Sequence, residues 1–363
     1  MAALREKSAA VEFCGVGGEA MTSAGFESLF PLTDIAVMGL APVLRRLPLI
    51  LRRIRETARH VTEMKPDALV IIDSPDFTHR VARRARAALP DLPVIDYVCP
   101  SVWAWRPGRA RKMKAYVSHV LALLPFEPAA LKRLNGPPAS YAGHPLIERF
   151  DVLRPGAADA AQRASAAPLI VLLPGSRQSE IRHLMPVFGE TVAVLAQKFP
   201  RARFVLPAVP HVRGAIAREI AAWPVKPEML EGEAAKFAAF RLARAALAAS
   251  GTVTLELALA GVPGVVGYRG PVIEAWLAKM LVRVPTVVLP NLILGENVYP
   301  EFMQGPCTRD ALVGAMSAIL TDGTARTRQL ELLSRMDAAM QIPGGSPSAA
   351  AAATILGFVN TAR

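Results

Sequence analysis

The sequence predicts two doubly wound α/β domains facing a cleft. Three observations carry this: short β-branched runs alternate with amphipathic helical stretches from end to end, the alternation forms two series, and a weakly periodic segment separates them. The first series opens at Ala68–Ile72, passes through a polar turn into an Arg- and Ala-rich helix around Val81–Leu89, and continues with strands at Val94–Val98 and Val117–Leu123. The second holds strands at Leu169–Leu173, Phe204–Leu206, Ala245–Ala248 and Gly264–Gly267. Between them, Asp151 to Pro168 carries Pro155, Gly156 and an Ala-rich polar stretch, which reads as a linker. The expected domains are therefore residues 1–155 and 168–363. From Arg309 onward only helices are expected, and the last of them, Ser348–Val359, fits on either domain.

Composition narrows the function. At 363 residues, 52% hydrophobic and 20% charged, the chain describes a packed globular protein too long for one ordinary domain. Cys14, Cys99 and Cys307 lie far apart with no CxxC pair, which argues against a disulfide framework or a zinc site and points to the reducing cytoplasm. No apolar run reaches the roughly 18 residues of a membrane span, and MAALREKSAAVEF lacks a signal-peptide core. A net charge of +12 calls for an acidic partner: nucleic acid, anionic lipid or phosphorylated substrate. Aromatics at 6%, with no helix-turn-helix, RNA-recognition or zinc-finger pattern, argue against nucleic acid.

The Pro42–Met64 stretch reads as a basic amphipathic helix. Leu44, Leu47, Leu51, Ile54, Ala58 and Val61 form an apolar stripe, while Arg45, Arg46, Arg52, Arg53, Arg55 and Arg59 supply the charge. It reads either as a surface helix with its stripe in the core or as a helix lying on anionic lipid, and Val37–Leu40 adds apolar surface for the second.

Chemistry gathers where strands end. Asp73 follows the Leu69–Ile72 run directly, at the carboxyl end of a parallel strand, and is the first candidate for a general base; Asp76 either shares the cleft or caps the next helix. In the second series, Pro174-Gly175-Ser176-Arg177 makes a strand, small-residue turn and helix start, which offers amide donors to an anion, and Arg177 adds a charged clamp. Ser250-Gly251-Thr252 repeats the design, so two cradles suit a diphosphate. Glu256, one turn into the next helix, can accept from ribose hydroxyls or serve as an ordinary first-turn acid. The run Ser101-Val102-Trp103-Ala104-Trp105-Arg106 places two tryptophans beside an arginine, as cleft wall or as packing. His144 before the linker is a catalytic or a structural hydrogen-bonder.

The ordered set IDSPDF, YVCPSVWAWR, LPFEP, GHPL, LLPGSR, ASGTVTLELALAGVP, VVGYR and LPNL resembles the lipid-A-disaccharide synthase family across nearly the whole chain. The resemblance implies a GT-B fold of two Rossmann-like domains. It also implies inverting transfer of 2,3-diacylglucosamine from UDP-2,3-diacylglucosamine to 2,3-diacylglucosamine 1-phosphate with release of UDP, and no metal or cofactor. It matches Asp73 and Asn291 to activity-linked positions, and Arg177, Ser250, Gly251, Thr252 and Glu256 to the donor site, with Arg269 of VVGYR beside the cleft. It further implies a cytoplasmic enzyme, peripheral on the inner face of the inner membrane, and a homodimer. Thr78 stands where the family pattern has Asn, Cys99 replaces a common Ser, and Ile293–Asn297 replaces a Leu-Ala-Gly-Arg-Glu stretch. The family's first strand and its AGExSGD loop are expected to be missing, because MAALREK resembles the later part of the first helix; a poorly stable or inactive product is then expected. Two other readings are a second UDP-sugar enzyme of this fold (a MurG-like N-acetylglucosaminyltransferase or a UDP-N-acetylglucosamine 2-epimerase), against which PSVWAWR argues, and a degenerate membrane-associated binder without catalysis.

Overall fold

The computed structural model describes residues 1–36, 40–271, 281–342 and 345–361. Two compact units divide the chain: Met1–Pro145 together with Ile342–Arg363, and Leu146–Gln341. The chain changes unit ahead of the Asp151–Pro168 stretch, which carries the helix Ala157–Arg163 in the second unit. The last helix, Pro347–Thr361, belongs to the first unit.

The first unit contains a parallel sheet of β1 (Leu69–Ile72), β2 (Val94–Tyr97), β3 (His119–Ala122) and β4 (Ala139–Tyr141), in that spatial order. Strand alternation sends Val94 and Val120 to one face, where they pack with Ile71, Ala82 and Met113, and sends Ile95 and Leu121 to the other, where they meet Ala142 and Ala351. Burial on both faces explains why β2 and β3, in the middle of the sheet, read as largely apolar runs.

The Leu40–Met64 helix divides its stripe in two. Ile54 and Ala58 pack with Phe30, Phe77 and Val81, and Val61 packs with Ala85 and Leu92. Leu44 and Leu47, by contrast, are exposed, at 60% and 37%. Arg53 is bound to Asp34 at 2.6 Å and Glu56 at 2.8 Å and stacks on Phe30. Of the Val37–Leu40 segment, Val37, Met38 and Gly39 lie outside the described residues. Among the described residues, no helix is long and apolar enough to cross a membrane.

Among the described residues the second unit holds six parallel strands: β5 (Leu169–Leu173), β6 (Arg203–Ala208), β7 (Glu228–Glu231), β8 (Ala243–Ala248), β9 (Gly264–Tyr268) and β10 (Glu301–Met303). Their order is β10-β9-β8-β5-β6-β7. From β5 the chain winds outward to β7, returns to lay β8 beside β5, and then winds the other way. The β5/β8 boundary is therefore the topological switch point, where open α/β sheets form a crevice beyond the strand ends. Ile170, Leu172, Leu206 and Leu247 build the core on one face with Leu184 and Phe188 of the Gln178–Lys198 helix. Arg163, its pKa lowered to about 10 by burial, donates to the carbonyls of Phe240, Arg241, Ala260 and Gly261 at 2.6–3.2 Å. A half-buried cation thus closes the C-terminal ends of the Gly232–Leu242 and Thr252–Leu259 helices, where the dipole favours positive charge.

Candidate active site

In the first unit the candidate side chains follow the carboxyl ends of three strands. Asp73 comes directly after β1, is exposed, and donates its amide to the Tyr97 carbonyl at 3.2 Å. Asp73 and Ser74 both adopt left-handed backbone, with φ of 47° and 44°, so the chain turns sharply before the Pro75–Ala88 helix. The Thr78 hydroxyl ties this turn, donating to the carbonyls of Asp73 at 2.7 Å and Ser74 at 3.1 Å. A hydroxyl therefore does local work at the position where the family pattern places Asn. Asp76 is exposed in the first helical turn, 3.7 Å from Arg109.

The loop after β2 is held from below. The Trp103 Nε1–H donates to Glu127 Oε1 at 3.0 Å, and the amides of Leu123 and Leu124 donate to Glu127 Oε2 at 3.0 and 2.9 Å. Trp103 also meets Phe126 edge to face at 4.9 Å. Glu127 is 3% exposed, and burial pushes its carboxyl up to about 7 despite these three donors. Trp103 is thus a packing and anchoring residue, whereas Trp105, 38% exposed, carries the Arg106 guanidinium stacked at 4.3 Å. The Ser101 carbonyl accepts the amides of Ala104 and Trp105 in the same loop. Beyond β4, His144 is half-buried, and burial lowers it to about 4, so it is neutral at neutral pH.

Beneath the Asp73 turn lies a cluster that the sequence did not single out. His79 Nε2 stands 3.4 Å from Asp96 Oδ2, and His79 Nδ1 lies 3.2 Å from the Tyr116 hydroxyl. Burial, aided by the Arg109 charge, lowers His79 to about 4. Burial also raises Asp96 well above the carboxylate range, against the opposing pull of Arg109. Burial thus works against the charged form of both partners in this contact.

In the second unit the two predicted cradles lie side by side at the switch point. Leu173 and Ala248 are register partners at the ends of β5 and β8, and the Ala249 amide donates to the Leu173 carbonyl at 2.7 Å. The two turns nevertheless differ. In the first, the amides of Ser176 and Arg177 go to Glu180 Oε2 at 3.0 and 3.3 Å, and the Arg177 guanidinium goes to Glu180 Oε1 at 2.8 Å. Gly175 has φ of +106°, and a β-carbon there would run into the Glu180 carboxylate. This turn was expected to offer its amides to an anion; in the structure a carboxylate of the following helix already fills it, as the third residue of a capping box. Arg177 remains more than half exposed.

The second turn is open in a way the first is not. Gly251, with φ of +152°, precedes the Thr252–Leu259 helix, and its carbonyl takes the Thr254 amide and hydroxyl at 3.1 and 2.8 Å. The first amides of a helix have no partner within it, so Thr252 begins an anion-attracting end. The Ser250 hydroxyl is tied to the Val287 carbonyl at 3.1 Å. Glu256, mostly buried, receives Lys236 Nζ on both oxygens at 3.0 and 2.9 Å.

Asn291 is placed otherwise than expected for a group in the chemistry. It is 4% exposed; its Nδ2 donates to the Tyr299 carbonyl and its Oδ1 accepts the Tyr299 amide, both at 2.9 Å. The carboxamide is spent on backbone that would otherwise be buried unpaired. Arg269 follows β9 and lies against the Cys307 thiol. Among the described residues no group of three His, Cys, Asp or Glu side chains is placed to hold a metal ion.

A family model described as lipid-A-disaccharide synthetase matches residues 1–352. The lipid-A-disaccharide synthase of Nitrobacter hamburgensis is 54% identical over 354 residues, covering 98% of this chain and 89% of that protein. That of Bradyrhizobium diazoefficiens is 52% identical, covering 97% and 90%. Among solved structures, UDP-GlcNAc 2-epimerase from Neisseria meningitidis bound to UDP-GlcNAc aligns with a TM-score of 0.58 at 12% identity, over 96% of this chain and 91% of that one. The S. aureus MnaA–UDP structure aligns at 0.59, also at 12% identity, over 95% and 94%. At such identities the likeness shows the fold, the GT-B arrangement of parallel sheets. With that fold and these relatives, the chain belongs to the lipid-A-disaccharide synthase family, glycosyltransferases of lipid A biosynthesis.

Proposed function

We propose that the protein transfers 2,3-diacylglucosamine from UDP-2,3-diacylglucosamine to 2,3-diacylglucosamine 1-phosphate with inversion, giving the β-1,6-linked disaccharide 1-phosphate and UDP. The observation that carries the reading is the pair of turns at the β5/β8 switch point, one presenting Arg177 and the other a helix N-terminus at Thr252. In this reading the Thr252 helix end takes the diphosphate. Arg177, aimed by Glu180, adds side-chain charge, and Glu256, held by Lys236, takes the ribose hydroxyls. UDP leaves as an anion, so the charge that develops on it is met by fixed dipoles and a cation. Asp73 serves as general base, taking the proton of the acceptor hydroxyl as its oxygen forms the new bond to the anomeric carbon and the bond to the diphosphate breaks. Ser101, Trp105, Arg106, Asp76, His144 and Arg269 lie beyond strand ends, where they line the approach of the substrates, and Asn291 supports the donor-side fold. The exposed Leu44 and Leu47, with the arginines of the same helix, form the face that meets anionic lipid.

The test is UDP release from the two lipid substrates by the parent chain and by Asp73→Asn and Arg177→Ala. Turnover in the parent that is lost with Asp73→Asn, together with a raised donor KM for Arg177→Ala, supports the assignment. Equal turnover in parent and Asp73→Asn removes Asp73 as base, and release of UDP from UDP-GlcNAc with no transfer to the lipid acceptor removes the substrate assignment.

A further inference from the structure

Two successive non-glycine residues at positive φ, Asp73 and Ser74, make a conformation that a free chain avoids, so the surrounding structure must impose it. One tie is local, the Thr78 hydroxyl from the helix that the turn begins, and a second joins the Asp73 amide to Tyr97 on the neighbouring strand. The third reaches in from 34 residues along the chain. Arg109, in the Gly108–Met113 helix, donates Nη2 to the Pro75 carbonyl at 2.6 Å and holds Nη1 3.7 Å from Asp76 Oδ1. Its charge also acts on His79, Asp96 and Tyr116.

The helix dipole alone does not call for a cation here; the Pro75 carbonyl and the Asp76 carboxylate hold it. The N-terminal end of a helix carries partial positive charge and favours anions, and here a permanent positive charge sits against the first turn of Pro75–Ala88. Its Nη2 grips the carbonyl of the residue two places beyond Asp73, where the turn passes into the helix, and ties both to a separate segment of the chain. We propose that Arg109 is a positioning residue that sets the aim of the Asp73 carboxylate. The inference rests on the reading of Asp73 as the base.

The experiment compares Arg109→Ala, Arg109→Lys and Asp73→Asn in the full chain, by steady-state UDP release and by hydrogen exchange of the backbone amides across residues 73–78, Pro75 having none. Arg109→Ala is expected to lower kcat by about 10- to 100-fold with donor KM changed less than about 2-fold, since misplacing a catalytic group costs rate and not ground-state binding. Added guanidinium ion is expected to recover part of the loss in Arg109→Ala. Arg109→Lys, which keeps the charge without the planar fork, stays impaired. Exchange over residues 73–78 speeds up in both Arg109 variants while the strands of the first unit keep their protection. Parental kcat in Arg109→Ala beside an inactive Asp73→Asn overturns the role of Arg109 and leaves the base in place. Parental kcat in Asp73→Asn removes the base and the proposal with it. Unchanged exchange over residues 73–78 overturns the proposal whatever the turnover.

Discussion

Glu180 and Arg177 meet at 2.8 Å at the head of the helix after β5, and the same carboxylate takes the Arg177 amide. One residue thus fixes both the backbone of the turn and the direction of its exposed guanidinium. The two residues should separate cleanly on substitution. Arg177→Ala is expected to leave the thermal midpoint unchanged and raise donor KM by about 10-fold, the loss of one charge-assisted contact. Glu180→Ala leaves the turn amides without their carboxylate and is expected to cost about 2 kcal/mol in urea unfolding as well as weakening donor binding. A stable Glu180→Ala protein with parental KM would refute the coupling.

Asn291→Ala is expected to act on stability first. It removes two buried hydrogen bonds and strands both the amide and the carbonyl of Tyr299, a loss of roughly 2–4 kcal/mol. Urea unfolding measures it. An unchanged midpoint with lost turnover would return Asn291 to the chemistry.

Glu127 gives a pH dependence with a definite sign. Its folded pKa of about 7 exceeds the ordinary carboxylate value of 4.5, so the folded state holds a proton that the unfolded chain has released across that window. Its contribution to stability is fully present below pH 4.5 and is lost as pH rises toward and through 7. His79, lowered to about 4 from 6.5, works oppositely: its contribution is present above 6.5 and is lost as pH falls through 4. The difference in unfolding free energy between the parent and Glu127→Gln should therefore fall from pH 4.5 to 7, and a flat difference would contradict the raised pKa.

Leu44 and Leu47 are exposed beside arginines, so replacing both by Glu is expected to weaken co-sedimentation with anionic vesicles by at least about 10-fold without lowering the thermal midpoint. Equal sedimentation would show that lipid meets another face.

The strands that the sequence revealed and those it hid differ in their place in the sheet. The runs at β1, β2, β3, β5, β6, β8 and β9 are apolar because most are flanked by strands and covered by helices. The strands it missed, β4 (Ala-Ser-Tyr), β7 (Glu-Met-Leu-Glu) and β10 (Glu-Phe-Met), are all edge strands. An edge strand is short and tolerates polar residues, and its pairing is decided by a neighbour far away in sequence. The site divides in a similar way. Asp73, Arg177 and Thr252 were legible because they sit where a strand run stops. Glu180, Glu127, Arg109 and Lys236 were not, because a charged residue inside a helix looks alike whether it faces solvent or holds a loop. Asn291 and Trp103 carried a signal strong enough to be noticed, but their partners, the Tyr299 backbone and Glu127, are fixed only by the folded chain.

The first unit is closed by a helix that the chain makes only after the whole of the second unit. Ile95, Leu121 and Ala142 are covered by Ala351, with Ile355 and Phe358 beside it, yet residues 146–341 of the second unit must be synthesised before that cover exists. At about 5–20 residues per second, the ribosome leaves this face of the sheet bare for roughly 10–40 s, while the second unit, which is continuous in sequence, can fold in the meantime. The interval is a window for chaperone capture or aggregation. It makes the yield of folded protein sensitive to lesions in Pro347–Thr361 that lie far from any substrate.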